Sequence, residues 1–141
     1  MQVIKGVAFT AVYFTIAFGA SILDLLTKED YQCMEDLNID VNQLLAHFDD
    51  DFKLKPDDQV LLAEGVCWLK RMKMMDDNNN LNWDNLVQLP IMIMPLYGKQ
   101  DMANKEEVAA NVLQKCREDV LASQNIATTL NNCIGDQLSK L

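Results

Sequence analysis

The side chains with the most evident chemistry are four cysteines, Cys33, Cys67, Cys116 and Cys133, and a single histidine, His47. The cysteines are widely spaced with no C-x-x-C pair, and one histidine adds little to a tetrahedral ligand set, so they do not read as a zinc site. In an oxidising compartment an even number of cysteines reads as disulfides, here two, with three connectivities open. His47 has no serine or free-thiol partner pattern, and neither G-x-S-x-G nor H-E-x-x-H occurs. Beside the acidic run Asp49-Asp50-Asp51, His47 reads as a surface residue. Asp76-x-Asn78-x-Asn80 imitates the opening of an EF-hand calcium loop. The match then fails, because Leu81 stands at the turn glycine and Val87 at the bidentate glutamate. Asp76 to Asn80 reads instead as an inter-helix turn, since such short polar side chains bond to local backbone and compete with helix. No catalytic residue, cofactor or metal is expected, and the chain does not read as an enzyme.

The elements that position these residues follow an N-terminal address segment. Lys5 supplies a positive charge, Val7 to Ile16 is nearly all apolar, and small residues follow at Ala17, Gly19 and Ala20. Cleavage after Gly19 places Ala17 at −3 and Gly19 at −1, which satisfies the small-x-small rule. The apolar stretch falls short of the roughly 20 residues that cross a bilayer. The sequence therefore predicts a signal peptide over 1–19, a single helical domain over 20–141, and a secreted, extracellular protein. That destination is the oxidising setting the cysteine count needs. The formal charge of the full chain is −9. Such acidity argues against nucleic acid or an anionic membrane surface as partner, because both need a basic footprint. It fits solubility at high concentration in an extracellular fluid.

Helical periodicity dominates the rest, with no clear period-two alternation. A first helix is expected from Asp24 to about Leu37 and a short second one from Val41 to Phe48. Pro56-Asp57-Asp58 suits the first turn of a third, with proline in the opening positions and the acids at the positive dipole end, running through Cys67 and Trp68 to about Met75. Leu81 to Met94 is apolar again, broken at Pro90 and stopped at Pro95 and Gly98. Asn104 is placed to cap a fifth helix through Cys116. Ser123 or Asn125 opens a last one through Cys133 to about Leu138. The expected architecture is all-α, about six short helices.

Methionines are frequent, with Met72, Met74, Met75, Met92, Met94 and Met102 in the second half of the chain. Methionine is flexible and polarisable, and it serves both ordinary core packing and adaptable apolar binding surfaces. Ile91-Met92-Ile93-Met94 is apolar on every side, so either core or ligand must cover it.

The cysteine-centred segments resemble the insect odorant-binding protein family. The run Cys67-Trp68-Leu69-Lys70-Arg71-Met72-Lys73-Met74-Met75-Asp76, then Asn79-Asn80-Leu81-Asn82-Trp83, is similar to that family's third-helix cysteine, basic and apolar run, polar turn and fourth helix. Members usually carry six cysteines. Ala63 and Asn125 stand at the second and fifth places, themselves a bonded pair in the family, so this chain resembles the four-cysteine, minus-C subgroup. The resemblance implies the pairings Cys33–Cys67 and Cys116–Cys133. Two departures from the pattern are a Cys116–Cys133 interval one residue short and Lys73 in place of a commonly small residue. The function it implies is reversible carriage of an odorant, pheromone or similar hydrophobic semiochemical in an internal apolar cavity stapled by two disulfides. The alternatives are a non-olfactory lipophile carrier of haemolymph or another secretion, and a secreted helical signalling protein with a filled core. The expected partner is a small hydrophobic ligand, with any membrane receptor reached indirectly, and the protein itself a monomer or weak homodimer. Helical apolar positions near the staples or in the all-apolar segment nominate a ligand-binding wall: Trp68, Met72, Met75, Leu86, Ile91, Met92, Met94, Leu113, Ile126 and Leu130.

Overall fold

Short polar side chains decide where the helices of the computed structural model begin, and the model describes residues 21–141. The expected signal peptide and its cleavage site lie outside the described residues. Helix α1 (Ile22–Leu25) and α2 (Lys28–Leu37) each open on a capping box, Ser21 with Asp24 and Thr27 with Asp30. In each box the hydroxyl accepts from the backbone N–H three residues on while that residue's carboxylate accepts from the cap's own N–H. Two consecutive boxes split what periodicity suggested was one helix from Asp24 to Leu37. Helix α3 (Val41–Ala46) opens on Asp40, and α4 (Gln59–Arg71) opens on Asp58. Pro56 is thus outside α4 rather than in its first turn; the Asp58 carboxylate takes the N–H groups of Val60 and Leu61 instead, at 2.9 and 3.1 Å.

The apolar fourth segment divides at Val87 into α5 (Trp83–Leu86) and α6 (Gln88–Ile93), and a 3-10 turn follows over Met94–Tyr97. Pro90 does not break the chain as expected. It falls in the first turn of α6, where a missing N–H removes no helical bond. Gly98, at φ 68°, ends the segment in the left-handed region. Helix α7 (Lys105–Leu121) begins without the expected side-chain cap: Asn104 adopts φ 57° and its side chain does not close the first turn. For α8 (Ile126–Ser139) the cap is Asn125, which accepts from Thr128 N–H.

Among the described residues the fold is all-α, with isolated antiparallel bridges at Phe48–Leu54 and Met75–Leu81 where two turns close. The turns share one construction. Asp49 Oδ1 accepts from the N–H of Asp51 and Lys53, and Asp76 Oδ1 accepts from those of Asn78 and Asn80, all at 2.8–2.9 Å. The fourth residue of each, Phe52 and Asn79, has positive φ. The Asp76–Asn80 segment is therefore the inter-helix turn expected of it, with the aspartate's lone pairs spent on backbone.

Both disulfides are present in the pairing the resemblance implied, Cys33–Cys67 joining α2 to α4 and Cys116–Cys133 joining α7 to α8, each with Cα atoms 5.9 Å apart. The main core gathers residues of α4 to α8, including Leu69, Met74, Leu86, Met94, Leu113, Val120, Leu130, Ile134 and Leu138. A smaller cluster, Met34, Leu44 and Leu61, packs α2, α3 and the start of α4. Where α4 meets α8, a Cβ on Gly65 would lie 2.3 Å from Ala127 Cβ. Glycine at 65 is what lets the two helices approach this closely.

Candidate functional site

The seam between the two apolar clusters is not filled. A pocket of about 160 Å³ lies there, and its apolar lining comes from both sides. Helix α1 and the residue after it give Ile22, Leu25 and Leu26; the Asp49 turn gives its flanks Phe48 and Leu54. Helix α4 gives Glu64, Gly65, Trp68 and Leu69, which share one helix face by their spacing. Leu89, Met92, Ile93 and Leu96 come from α6 and the 3-10 turn, and Ala127 and Asn131 from α8. The proline-flanked apolar segment is thus covered partly by core and partly by this pocket.

Of the ten nominated wall residues, Trp68 and Met92 line the pocket. Met75, Leu86, Met94, Leu113 and Leu130 are closed into the main core, and Met72, Ile91 and Ile126 pack half-buried against it. Helical periodicity marks every inward position alike and does not separate those that meet other side chains from those that meet a gap. The sequence reading passed over Ile22, Leu25 and Leu26, beside the expected cleavage site, and Phe48 and Leu54, which the Asp49 turn brings together. It also passed over the pocket's polar corner.

That corner is built by α2 and α4. Contacts step along the two helices in the same direction: Asp30 to Glu64, Cys33 to Cys67, Asp36 to Arg71. The carboxyls of Asp30 and Glu64 each sit three residues before a bridged cysteine, so the disulfide holds them face to face. Asp30 accepts from the Thr27 backbone N–H at 2.8 Å and from its hydroxyl at 3.0 Å. Trp68 Nε1 donates to the same Thr27 hydroxyl at 2.9 Å, which fixes the indole at the pocket wall. Glu64 is 8% exposed, and its Oε2 has no donor from the surrounding protein. Burial, and after it the charge of Asp30, pushes the Glu64 carboxyl up to about 8; burial also raises Asp30, against the pull of its Thr27 donors. Two carboxylates cannot bond each other, so the pair shares a hydrogen bond only while one holds a proton. A glutamate inside the apolar run Val60–Trp68, on the face of Trp68, was the signal in the sequence.

Two larger hollows, of about 280 and 380 Å³, lie around the Asp49 turn and its neighbours, the first with a mixed lining and the second rich in charged residues. His47 borders the first, and its Nδ1 lies 2.6 Å from Asp58 Oδ2, a contact between the end of α3 and the start of α4. No group of three or more His, Cys, Asp or Glu side chains is placed to hold a metal ion among the described residues, and no helix there is long and apolar enough to cross a membrane.

Fold and site together define a class: a small helical domain, stapled by two disulfides, with an apolar pocket between its helices. The sequence profile of the PBP/GOBP family matches residues 20–137, and the chain belongs to that family, the insect odorant-binding proteins. It is a family of small binding and carrier proteins for hydrophobic ligands. No curated protein and no solved structure gives a significant match.

Proposed function

We propose that this protein is a secreted carrier that takes up a small odorant, pheromone or related semiochemical, non-covalently and reversibly, in the pocket between α1, α4, α6 and α8. The observation that carries the reading is the unfilled apolar seam, with Trp68 and Met92 in its wall. An apolar ligand entering it leaves water at a gain of about 25 cal/mol per Å² buried and recovers dispersion contacts that the gap forgoes. A volume of about 160 Å³ is close to that of an engineered apolar cavity known to take benzene, of about 150 Å³. The two disulfides and the apolar N-terminal segment support passage through an oxidising secretory route.

The test is displacement of a solvatochromic apolar dye from the oxidised protein by a panel of small volatiles and fatty ligands, followed together with the emission of Trp68 in a Trp83→Phe background. Saturable one-site uptake, competition at micromolar levels and a change in Trp68 emission are expected. A correctly bridged, helical protein that takes up no dye refutes the carrier function.

A further inference from the structure

The pocket is mostly apolar, and among the described residues its charged lining lies at one corner and is negative, without a counter-charge in the lining. Asp30 and Glu64 are its titratable lining residues. Glu29 adds a further negative charge on the same helix as Asp30. Among the described residues the other walls offer no cation: α1 lines the pocket with Ile22 and Leu25, α6 and the 3-10 turn with Leu89, Met92, Ile93 and Leu96, and α8 with Ala127 and Asn131. Of the basic residues on the flanking elements, Lys53 pairs with Asp136 and Arg71 with Gln32 and Asp36, while Lys28 at the start of α2 is exposed and Lys55 follows the lining residue Leu54; none of the four lines the pocket. Glu64 is more than nine-tenths buried, and one of its oxygens lacks a donor. Burial of a carboxylate without partners is costly, and the pair meets that cost by retaining a proton.

We propose that Asp30 and Glu64 form a headgroup subsite of the pocket and that its favoured ligand is a small lipophilic amine, bound as the ammonium. The inference rests on the carrier reading above and narrows it to a ligand class. An ammonium brings three donors and one positive charge to a pair in which Glu64 Oε2 has no donor, while its alkyl body lies on Trp68, Met92 and Leu89. The free pair holds one proton between two carboxyls; the arriving ammonium replaces it, the proton leaves to solvent, and both carboxyls are ionised in the complex. An alcohol brings one donor and no charge, and an ether brings neither.

Linkage sets the pH dependence. Glu64 keeps its proton to about 8 in the free protein. Amine binding must expel that proton at lower pH, so amine affinity climbs by up to about tenfold per pH unit from pH 6 to 8, then levels off. Neutral ligands show no such climb. The experiment compares hexylamine, hexanol and pentyl methyl ether, matched in size, as competitors of an uncharged solvatochromic dye at pH 6, 7 and 8. Calorimetry of hexylamine in two buffers of different ionisation enthalpy counts protons released at pH 7. The expected results are hexylamine at least tenfold stronger than the ether at pH 8, an advantage that shrinks toward pH 6, close to one proton released, and loss of the advantage in Glu64→Gln. If the dye and all three compounds bind but with equal strength and no pH trend, or if hexanol matches hexylamine, the subsite is refuted and the carrier stands. If no dye is taken up, the carrier itself falls. Should Glu64→Gln fail to fold, the proton count on the unaltered protein decides alone, with zero protons released overturning the proposal.

Discussion

Glu64 links stability to pH in a direction opposite to that of most surface carboxylates. In the unfolded chain it gives up its proton near the ordinary 4.5, whereas the fold holds it to about 8. Between those values the folded state binds the extra proton, so the associated stability is complete below 4.5 and is lost as pH rises to 8. Asp30, also raised, acts in the same sense. The loss amounts to at most about 1.4 kcal/mol per pH unit. Thermal melts should show Tm falling from pH 5 to 8, and Glu64→Gln should flatten that slope and melt above the unaltered protein at pH 8. Parallel slopes for the two proteins would remove Glu64 as the cause. The methionines divide at the same scale. Met94 is fully buried in the core while Met92 faces the pocket. Met94→Ala should cost about 2–5 kcal/mol in denaturant titration through the cavity it leaves. Met92→Trp should fill the pocket and weaken dye uptake at nearly unchanged stability; unchanged affinity would take Met92 out of the wall.

At the scale of elements, the disulfides do different work. Cys33–Cys67 closes 34 residues and sets α2 against α4, bringing Asp30 to Glu64; Cys116–Cys133 closes 17 and clamps α7 on α8, with neither cysteine in the pocket lining. By loop-closure entropy the first is worth about 4 kcal/mol and the second about 3. Replacing the cysteines pairwise with serine should therefore lower stability in both cases. Pocket occupancy, measured by dye uptake under conditions where both variants remain folded, should suffer only without Cys33–Cys67. Equal loss of uptake in both variants would mean that the staple's position is immaterial. Where six-cysteine relatives carry a third bridge, this chain has Ala63, exposed on α4, and Asn125, whose amide donates to the Pro56 carbonyl at 2.9 Å while its oxygen caps α8. A hydrogen bond to the loop before α4 and the close Gly65–Ala127 contact stand where a covalent link would join α4 to α8.

The described molecule is thus two apolar clusters, with Cys33–Cys67 stapling α2 to α4 and Cys116–Cys133 lying within the larger cluster, and with a gap between the clusters walled on one side by α1. That helix is four residues long and buries none of them, yet Ile22 and Leu25 line the pocket. Its stability rests on a capping box and on whatever occupies the pocket, since so short a helix is marginal by itself. Hydrogen exchange should find the amides of α1 among the least protected of the described helices, with protection rising there and in α4 when ligand is added. A ligand that slows exchange only in α7 and the C-terminal half of α8 would place the binding site elsewhere. The absent third bridge points the same way, to a cavity that adapts its volume to its contents.

Much was legible beforehand because it depends on local pattern. Cysteine number, the apolar periods around Cys67 and Cys116 and the Asp76–Asn80 turn each act over a few residues, and with the family resemblance they specified an all-α, twice-bridged fold and a carrier function. Local signals also misled where two weak ones competed: Pro90 is as much at home in a first turn as at a break, and only the packing of Leu89 and Leu86 into the core placed the division at Val87. The pocket was decided by tertiary structure alone. Whether an inward residue such as Leu130 or Trp68 meets another side chain or a void depends on how neighbouring helices cross, which no single helix's spacing encodes. The facing of Asp30 and Glu64, separated in sequence but held one turn from a shared disulfide, arises from the same cause: sequence supplies two acids on two apolar faces, and the angle between the helices makes them a pair.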